Sequence, residues 1–309
     1  MKRAFTLLEL IIVIVILGII AMMSFNAMMN IYSNYFQTRT VNELETQTEI
    51  ALEQISKRLE HRIKPSVIAR KPSGGFLSLN DSRVNLNSGY EILEFIPYAY
   101  EIFNDVPSGS SKAGRYSGYV DLAKSSPASG LISPGSNFST EVVETIKDLT
   151  CKDDTRNATC VDFKDKDGGV VAIFSDVYYD VQNSFGYQGI LNLDIAKVGV
   201  KSTDGDTLEI SGFANKQISE QYHLAYTANA IVPEQSADPK DTANGVFDLN
   251  LYYDYRPWMG QGYKNGEKAT IAKNVTRFVF IEKNGVIVLK LCMRAKNSEI
   301  TICKSKAVY

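Results

Sequence analysis

Histidine and tryptophan are what this chain has least of, and neither sign of charge dominates it. Two histidines and one tryptophan stand among 309 residues, and 33 Lys plus Arg face 35 Asp plus Glu, a formal charge of -2. That balance supplies no global basic field for nucleic acid or anionic lipid, so any such binding must be local. Two histidines leave little material for acid–base catalysis, and there is no G-x-S-x-G, H-E-x-x-H or Walker loop to suggest another catalytic set. Glycine and proline are both missing from residues 36–62. The rest is ordinary globular material, 44% hydrophobic and 22% charged, enough for one large domain or two small ones.

What is present begins with "MKRAFTLLELIIVIVILGII". The apolar run from Phe5 to Met23 counts about 19 residues with Thr6 and Glu9 included, close to the length that crosses about 30 Å of hydrocarbon. Lys2 and Arg3 on its N-terminal side keep that end cytoplasmic and send the residues after about 30 outward. A cleaved secretory signal would need a small-x-small site after the run, and "MMSFNAMMNIYSNYF" has none. Glu9 is the anomaly, because a lone carboxylate near a bilayer centre costs about 2.5–3.5 kcal/mol.

The helical pattern continues past the apolar run. Val41, Leu44, Thr48, Leu52, Ile55, Leu59 and Ile63 recur at intervals of three or four, the mark of an amphipathic helix, and Pro65 is expected to end it. The two halves together predict one helix from about residue 6 to 63, on the order of 85–90 Å long.

The motif "A-FTLLEL" before an apolar run resembles the class III signal of type IV pilins and pseudopilins. The resemblance covers roughly the first 35 residues, and Ala4 stands where the family usually has Gly. It implies cleavage between Ala4 and Phe5 by a prepilin peptidase, N-methylation of the new Phe5 amine, and an assembly role for Glu9, whose carboxylate would meet the terminal amine of a neighbouring subunit in apolar surroundings. Major pilins often have a proline within residues 20–40, and none is found here. The competing reading of Glu9 is a protonated or snorkelling residue of a plain membrane anchor.

Beyond the helix the periodicity changes from 3.6 to 2. "YEILEFIPYAY" (90–100), "GVVAIF" (169–174), "GILNLDI" (189–195), "DTLEISGF" (206–213), "QYHLAYTA" (221–228) and "VFDLNLYYDY" (246–255) read as strands. No strand–helix–strand alternation appears after residue 65, so the expected fold class is α+β: a long N-terminal helix packed on antiparallel sheet, pilin-like. Asn284-Gly285 is a strong hairpin signal that pairs Ile281 with Val288 and Phe280 with Leu289. A following turn at Asn297-Ser298 sets Cys292 opposite Cys303, Lys296 opposite Glu299 and Met293 opposite Ile302. Residues 104–140, rich in Ser, Gly and Pro, read as a long surface loop, either a partner-contact loop or an insertion without a role.

Four cysteines allow three pairings, and an outward domain in an oxidising compartment favours Cys151–Cys160 and Cys292–Cys303. A zinc site is disfavoured, because His61 and His223 are isolated in sequence and the C-x8-C and C-x10-C spacings do not match zinc motifs. No cofactor is implied. Asp165 and Asp167 in "DFKDKDGG", with Asp204 and Asp206 in "STDGDT", could hold Ca2+, but neither stretch has EF-hand spacing and both also read as solvated turns. "YYDYRPWM" (252–259) offers aromatics and an arginine that could stack on single-stranded DNA or a sugar; strand aromatics in a core are the simpler reading.

These features divide the chain into leader 1–4, membrane and assembly helix 5–30, amphipathic extension 31–64 and a β-rich outer domain 65–309. The resemblance implies a non-enzymatic minor pilin or pseudopilin, similar to the larger J or W type, that helps initiate a type IV pilus or type II secretion filament. The K type usually lacks the Glu. Implied partners are the prepilin peptidase, other minor and major subunits and the inner-membrane assembly platform. The implied location is a single pass of the bacterial inner membrane with the outer domain in the periplasm, or in a filament beyond it. Two alternatives are a signal-anchored periplasmic enzyme, which would need a clustered catalytic set, and a filament-borne DNA or surface receptor, which would need a local basic patch.

Overall fold

The structure, a computed structural model, describes residues 7–84, 89–103, 114–151, 160–189, 193–201, 205–213, 216–296 and 298–309. Helix α1 (Leu7–Glu60) has 54 residues, about 80 Å at 1.5 Å per residue. Its buried stripe is Leu44, Thr48, Ala51, Leu52, Ile55, Ser56 and Leu59. Two polar members fit because the Thr48 and Ser56 hydroxyls donate to the carbonyls of Leu44 and Leu52, each at 2.7 Å. Val41 is only half-buried, and Ile63 is buried but lies past the helix.

The expected terminus at residue 63 is corrected to Glu60. Just past this end the Arg62 Nη1 donates to the Leu59 carbonyl at 2.8 Å, satisfying an acceptor of the last turn. Pro65 falls in a separate 3-10 turn, Lys64–Ser66.

The chain then runs through β1 (Ile68–Arg70), β2 (Phe76–Ser78), β3 (Ile92–Phe95), β4 (Leu131–Ile132), α2 (Thr140–Thr150), β5 (Val171–Phe174), β6 (Ala196–Val200), β7 (Thr207–Ser211) and β8 (Tyr222–Ala225). It continues through β9 (Ala228–Gln235), α3 (Pro239–Ala243), β10 (Phe247–Tyr255), β11 (Glu267–Lys283), β12 (Val286–Arg294) and β13 (Thr301–Val308). An eight-stranded sheet has the order β13-β12-β11-β10-β9-β3-β1-β2, and a five-stranded sheet the order β4-β7-β6-β5-β8. Every pairing between these strands is antiparallel. The α+β class expected from the change of period is therefore the observed one.

Four layers, with three apolar cores between them, follow from which residues alternate. The α1 stripe meets Leu289, Leu291 and Met293 of β12 together with Leu249 and Leu251 of β10. On the opposite side of the large sheet, Ala230, Val232 and Tyr255 pack with Val171 and Ile173 of β5 and with Trp258. The other face of β5, Ala172 and Phe174, packs with Val142, Val143 and Ile146 of α2. β5 is thus buried on both faces, which is why its sequence is continuously apolar.

The hairpin register is the expected one. Asn284 and Gly285 both take positive φ, 55° and 79°, as a tight type I′ turn requires. Ile281 faces Val288, Phe280 faces Leu289, Cys292 faces Cys303 and Met293 faces Ile302. Asn297, in the expected second turn, lies outside the described residues.

Three expectations are revised. The strand expected at 189–195 lies at Ala196–Val200 instead; Leu193 and Ile195 are buried but unpaired to a strand, and residues 190–192 lie outside the described set. The tract 104–140 is not a surface loop throughout, since Tyr116, Val120, Leu131 and Phe138 are core and β4 pairs with β7; residues 104–113 lie outside the described set. Helix α2 was not expected at all. Ser139 accepts from the backbone N–H of Val142, a capping signal visible only in hindsight within a Ser-rich tract.

Candidate assembly surface

Among the described residues, the lower half of α1 has no buried side chain. Its apolar side chains from Leu7 to Phe36 are exposed, Leu7 at 77%. The most apolar stretch has a mean hydropathy of 2.9 and no buried residue, so by length and composition the helix can cross a membrane. Nothing lies within 4 Å of the space a side chain on Gly18 would enter, leaving room for another helix to approach closely there. Glu9 lies near the start of the described part of the helix. Ala4 and Phe5 lie outside the described residues.

The upper half is fastened along β13. Lys304 reaches Glu45 at 3.1 Å and also bonds Glu49, while Lys306 bonds Glu53. The Glu49 bond pushes the Lys304 ammonium above its ordinary value, and the Lys306 bond holds Glu53 below the ordinary carboxylate range. Where α1 ends, Arg62 also donates to the carbonyls of Tyr309 and Gly285, each at 3.2 Å. One guanidinium thus joins the helix end, the β11–β12 turn and the residue after β13. Burial lowers its pKa, yet a guanidinium stays charged at any relevant pH.

The cysteines form two bridges, Cys151–Cys160 and Cys292–Cys303, the second directly across β12 and β13. The aspartates near Asp165 serve their own turn: Asp165 accepts from the backbone N–H of Asp167, and Asp167 accepts from the Ser211 hydroxyl at 2.7 Å. Asp206 accepts from the Thr207 hydroxyl, and Asp204 lies outside the described residues. Among the described residues no three His, Cys, Asp or Glu side chains gather as metal ligands would.

The segment "YYDYRPWM" is mostly core. Tyr255 and Trp258 are fully buried, the Trp258 indole donates to the Gly169 carbonyl at 3.0 Å, and Arg256 pairs with Asp254 at 2.9 Å. Only Tyr253 and Met259 of this stretch are exposed.

The histidines, isolated in sequence, meet the same ring. Tyr98 lies 5.4 Å from His61 and 5.2 Å from His223. Sequence reading also missed a buried charge. Glu94, 1% exposed, accepts from Arg70 at 2.7 Å and from the Tyr255 hydroxyl at 2.9 Å. Burial raises its pKa against the pull of Arg70. The nearest signal was an acid inside the apolar run "EILEFI", which alone cannot identify its distant partners.

Residues 1–25 match a family model described as the prokaryotic N-terminal methylation motif. No curated protein and no solved structure matches the chain.

Proposed function

The methylation motif and the long apolar helix behind it support membership of the type IV pilin and pseudopilin family, and on that premise we propose that this chain is a minor subunit that helps start a type IV pilus or type II secretion filament. One observation carries the reading: a cleavage and methylation signal leads directly into an exposed apolar half-helix that carries Glu9. In the membrane that half-helix rests in lipid, and in a filament it packs against its neighbours' helices. The motif implies processing by a prepilin peptidase, with cleavage between Ala4 and Phe5, and assembly with other pilins. The role is structural rather than catalytic, and the large β-rich outer part resembles subunits of the J or W type.

Lys2 and Arg3 hold the N-terminus in the cytoplasm, so the sheets stand in the periplasm, an oxidising space that suits two disulfides. In the filament, the Glu9 carboxylate meets the methylated amine of a neighbouring subunit, an ion pair strengthened by poor screening in apolar surroundings.

The test is crosslinking to adjacent subunits at matched membrane abundance. Glu9→Val leaves insertion and folding intact, because removing a charge from lipid favours the membrane state, but loses assembly crosslinks; Glu9→Asp is intermediate. Parent-like assembly by Glu9→Val would refute the pairing role.

A further inference from the structure

A cleft of about 700 Å³ opens where the upper end of α1, the turn after β3, the end of α2 and the face of β10 and β11 converge. It has the size of a small-ligand site, typically about 300–1,000 Å³, and its lining includes none of the exposed apolar side chains from Leu7 to Phe36. We propose that this cleft binds a short, uncharged oligosaccharide.

The rings come first. A bulge in β10 between Tyr252 and Tyr255, with Asp254 at φ 57°, breaks the alternation of the strand. Tyr255 is turned into the core between the sheets, while Tyr253 stays on the face of Leu251, lines the cleft and is 38% exposed. Tyr100 lines the same cleft, where His61 stacks on it at 4.2 Å and 16°, fixing the plane of that ring, which remains 43% exposed. Sugar rings carry apolar C–H faces, and such faces settle on fixed aromatic rings for the same reason apolar surface does elsewhere.

The polar groups suit the edges of a sugar. Glu101 lines the cleft together with Tyr100 and Tyr226, and its carboxylate adds an acceptor to the wall. Gln54, Arg58 and Asn229 add donors, and Thr227 and Thr270 add hydroxyls that both donate and accept. Mixed donors and acceptors around exposed rings match a polyhydroxylated ligand.

Other ligands fit less well. Glu53, Glu101 and Asp254 line the same walls as Lys57 and Arg58, so a polyanion such as single-stranded DNA meets repulsion along with attraction. A peptide added as a strand needs an open edge, and β10 is paired on both sides.

The experiment uses the full chain in detergent micelles, unassembled, so its result does not depend on the filament reading. Cellotetraose, maltotetraose and the β-1,4-linked N-acetylglucosamine tetramer are titrated by calorimetry, with an oligothymidylate as the polyanion arm. At least one tetrasaccharide is expected to bind saturably. Tyr253→Ala and Tyr100→Leu should each weaken it about tenfold or more, Tyr253→Phe, which keeps the ring, should bind like the parent, and Tyr178→Ala, distant from the cleft lining, should change nothing. No binding of any tetrasaccharide, unchanged binding by Tyr253→Ala, or displacement of the sugar by oligothymidylate would overturn the proposal.

Discussion

Lys304 of the edge strand reaches Glu45 of the long helix at 3.1 Å and holds Glu49, one turn further along, with the same ammonium. These partners are largely exposed, the glutamates at 53% and 66%, so solvent and salt screen them. The apolar stripe beside them is not screened. Raising salt to about 1 M, where the Debye length is about 3 Å, should therefore leave the urea midpoint of the outer part nearly unchanged. Leu59→Ala, which empties a fully buried site, should lower stability by about 2–5 kcal/mol. A large salt effect with a small Leu59→Ala effect would invert this ranking.

Processing is read by intact mass. Protein extracted from a membrane that contains the prepilin peptidase should begin at Phe5 and carry one added methyl group. An intact Met1, or a cut beyond Ala21, would remove the filament reading.

The bridge between Cys292 and Cys303 closes a hairpin that already pairs in register. Replacing both by Ser should leave the hairpin in place and lower stability by about 2–3 kcal/mol, the chain-entropy value for so short a loop. Non-reducing peptide maps should show this pair and Cys151 with Cys160; a link between Cys151 and Cys292 would contradict the observed register.

His223 gives the outer part an acid-sensitive site. Burial pushes its imidazole below the ordinary value of 6.5, and its Nδ1 is buried without a hydrogen-bond partner. As pH falls, the unfolded chain takes up this proton first, so the stability contribution is complete above about 6.5 and is lost as pH drops through the folded-state value. His223→Phe keeps a ring beside Tyr98 and should flatten the fall in urea midpoint between about pH 6.5 and 5.5. Equal slopes in parent and variant would rule the residue out as the source.

Local chemistry was legible in the sequence wherever it dictates geometry by itself. Asn284-Gly285 admits one tight turn, and that turn fixed the pairs of Ile281 with Val288 and Phe280 with Leu289. The stripe from Leu44 to Leu59 follows from a period of 3.6. Assignment of strands to two sheets was not legible, because β3 and β5 both read as short apolar runs and only distant partners separate them. Strands β1 and β2, three residues each, are too short to show a period. Glu94 is intelligible only with Arg70 and Tyr255, the latter 161 positions away. The cleft is assembled in the same way, from side chains of several elements that no local pattern connects.

Helix and edge strand run side by side in the same direction: Glu49 to Glu53 is about 6 Å of helix rise, and Lys304 to Lys306 about 7 Å of strand, with Lys304 on Glu45 and Glu49 and Lys306 on Glu53. A pull along the axis of the embedded half therefore loads the whole stripe from Leu44 to Leu59 in shear, so that its contacts must yield together. A sideways pull would instead peel them apart one turn at a time. In the proposed filament, axial traction through the embedded helices would meet this joint in its strong direction, with Arg62 as the anchor at the far end.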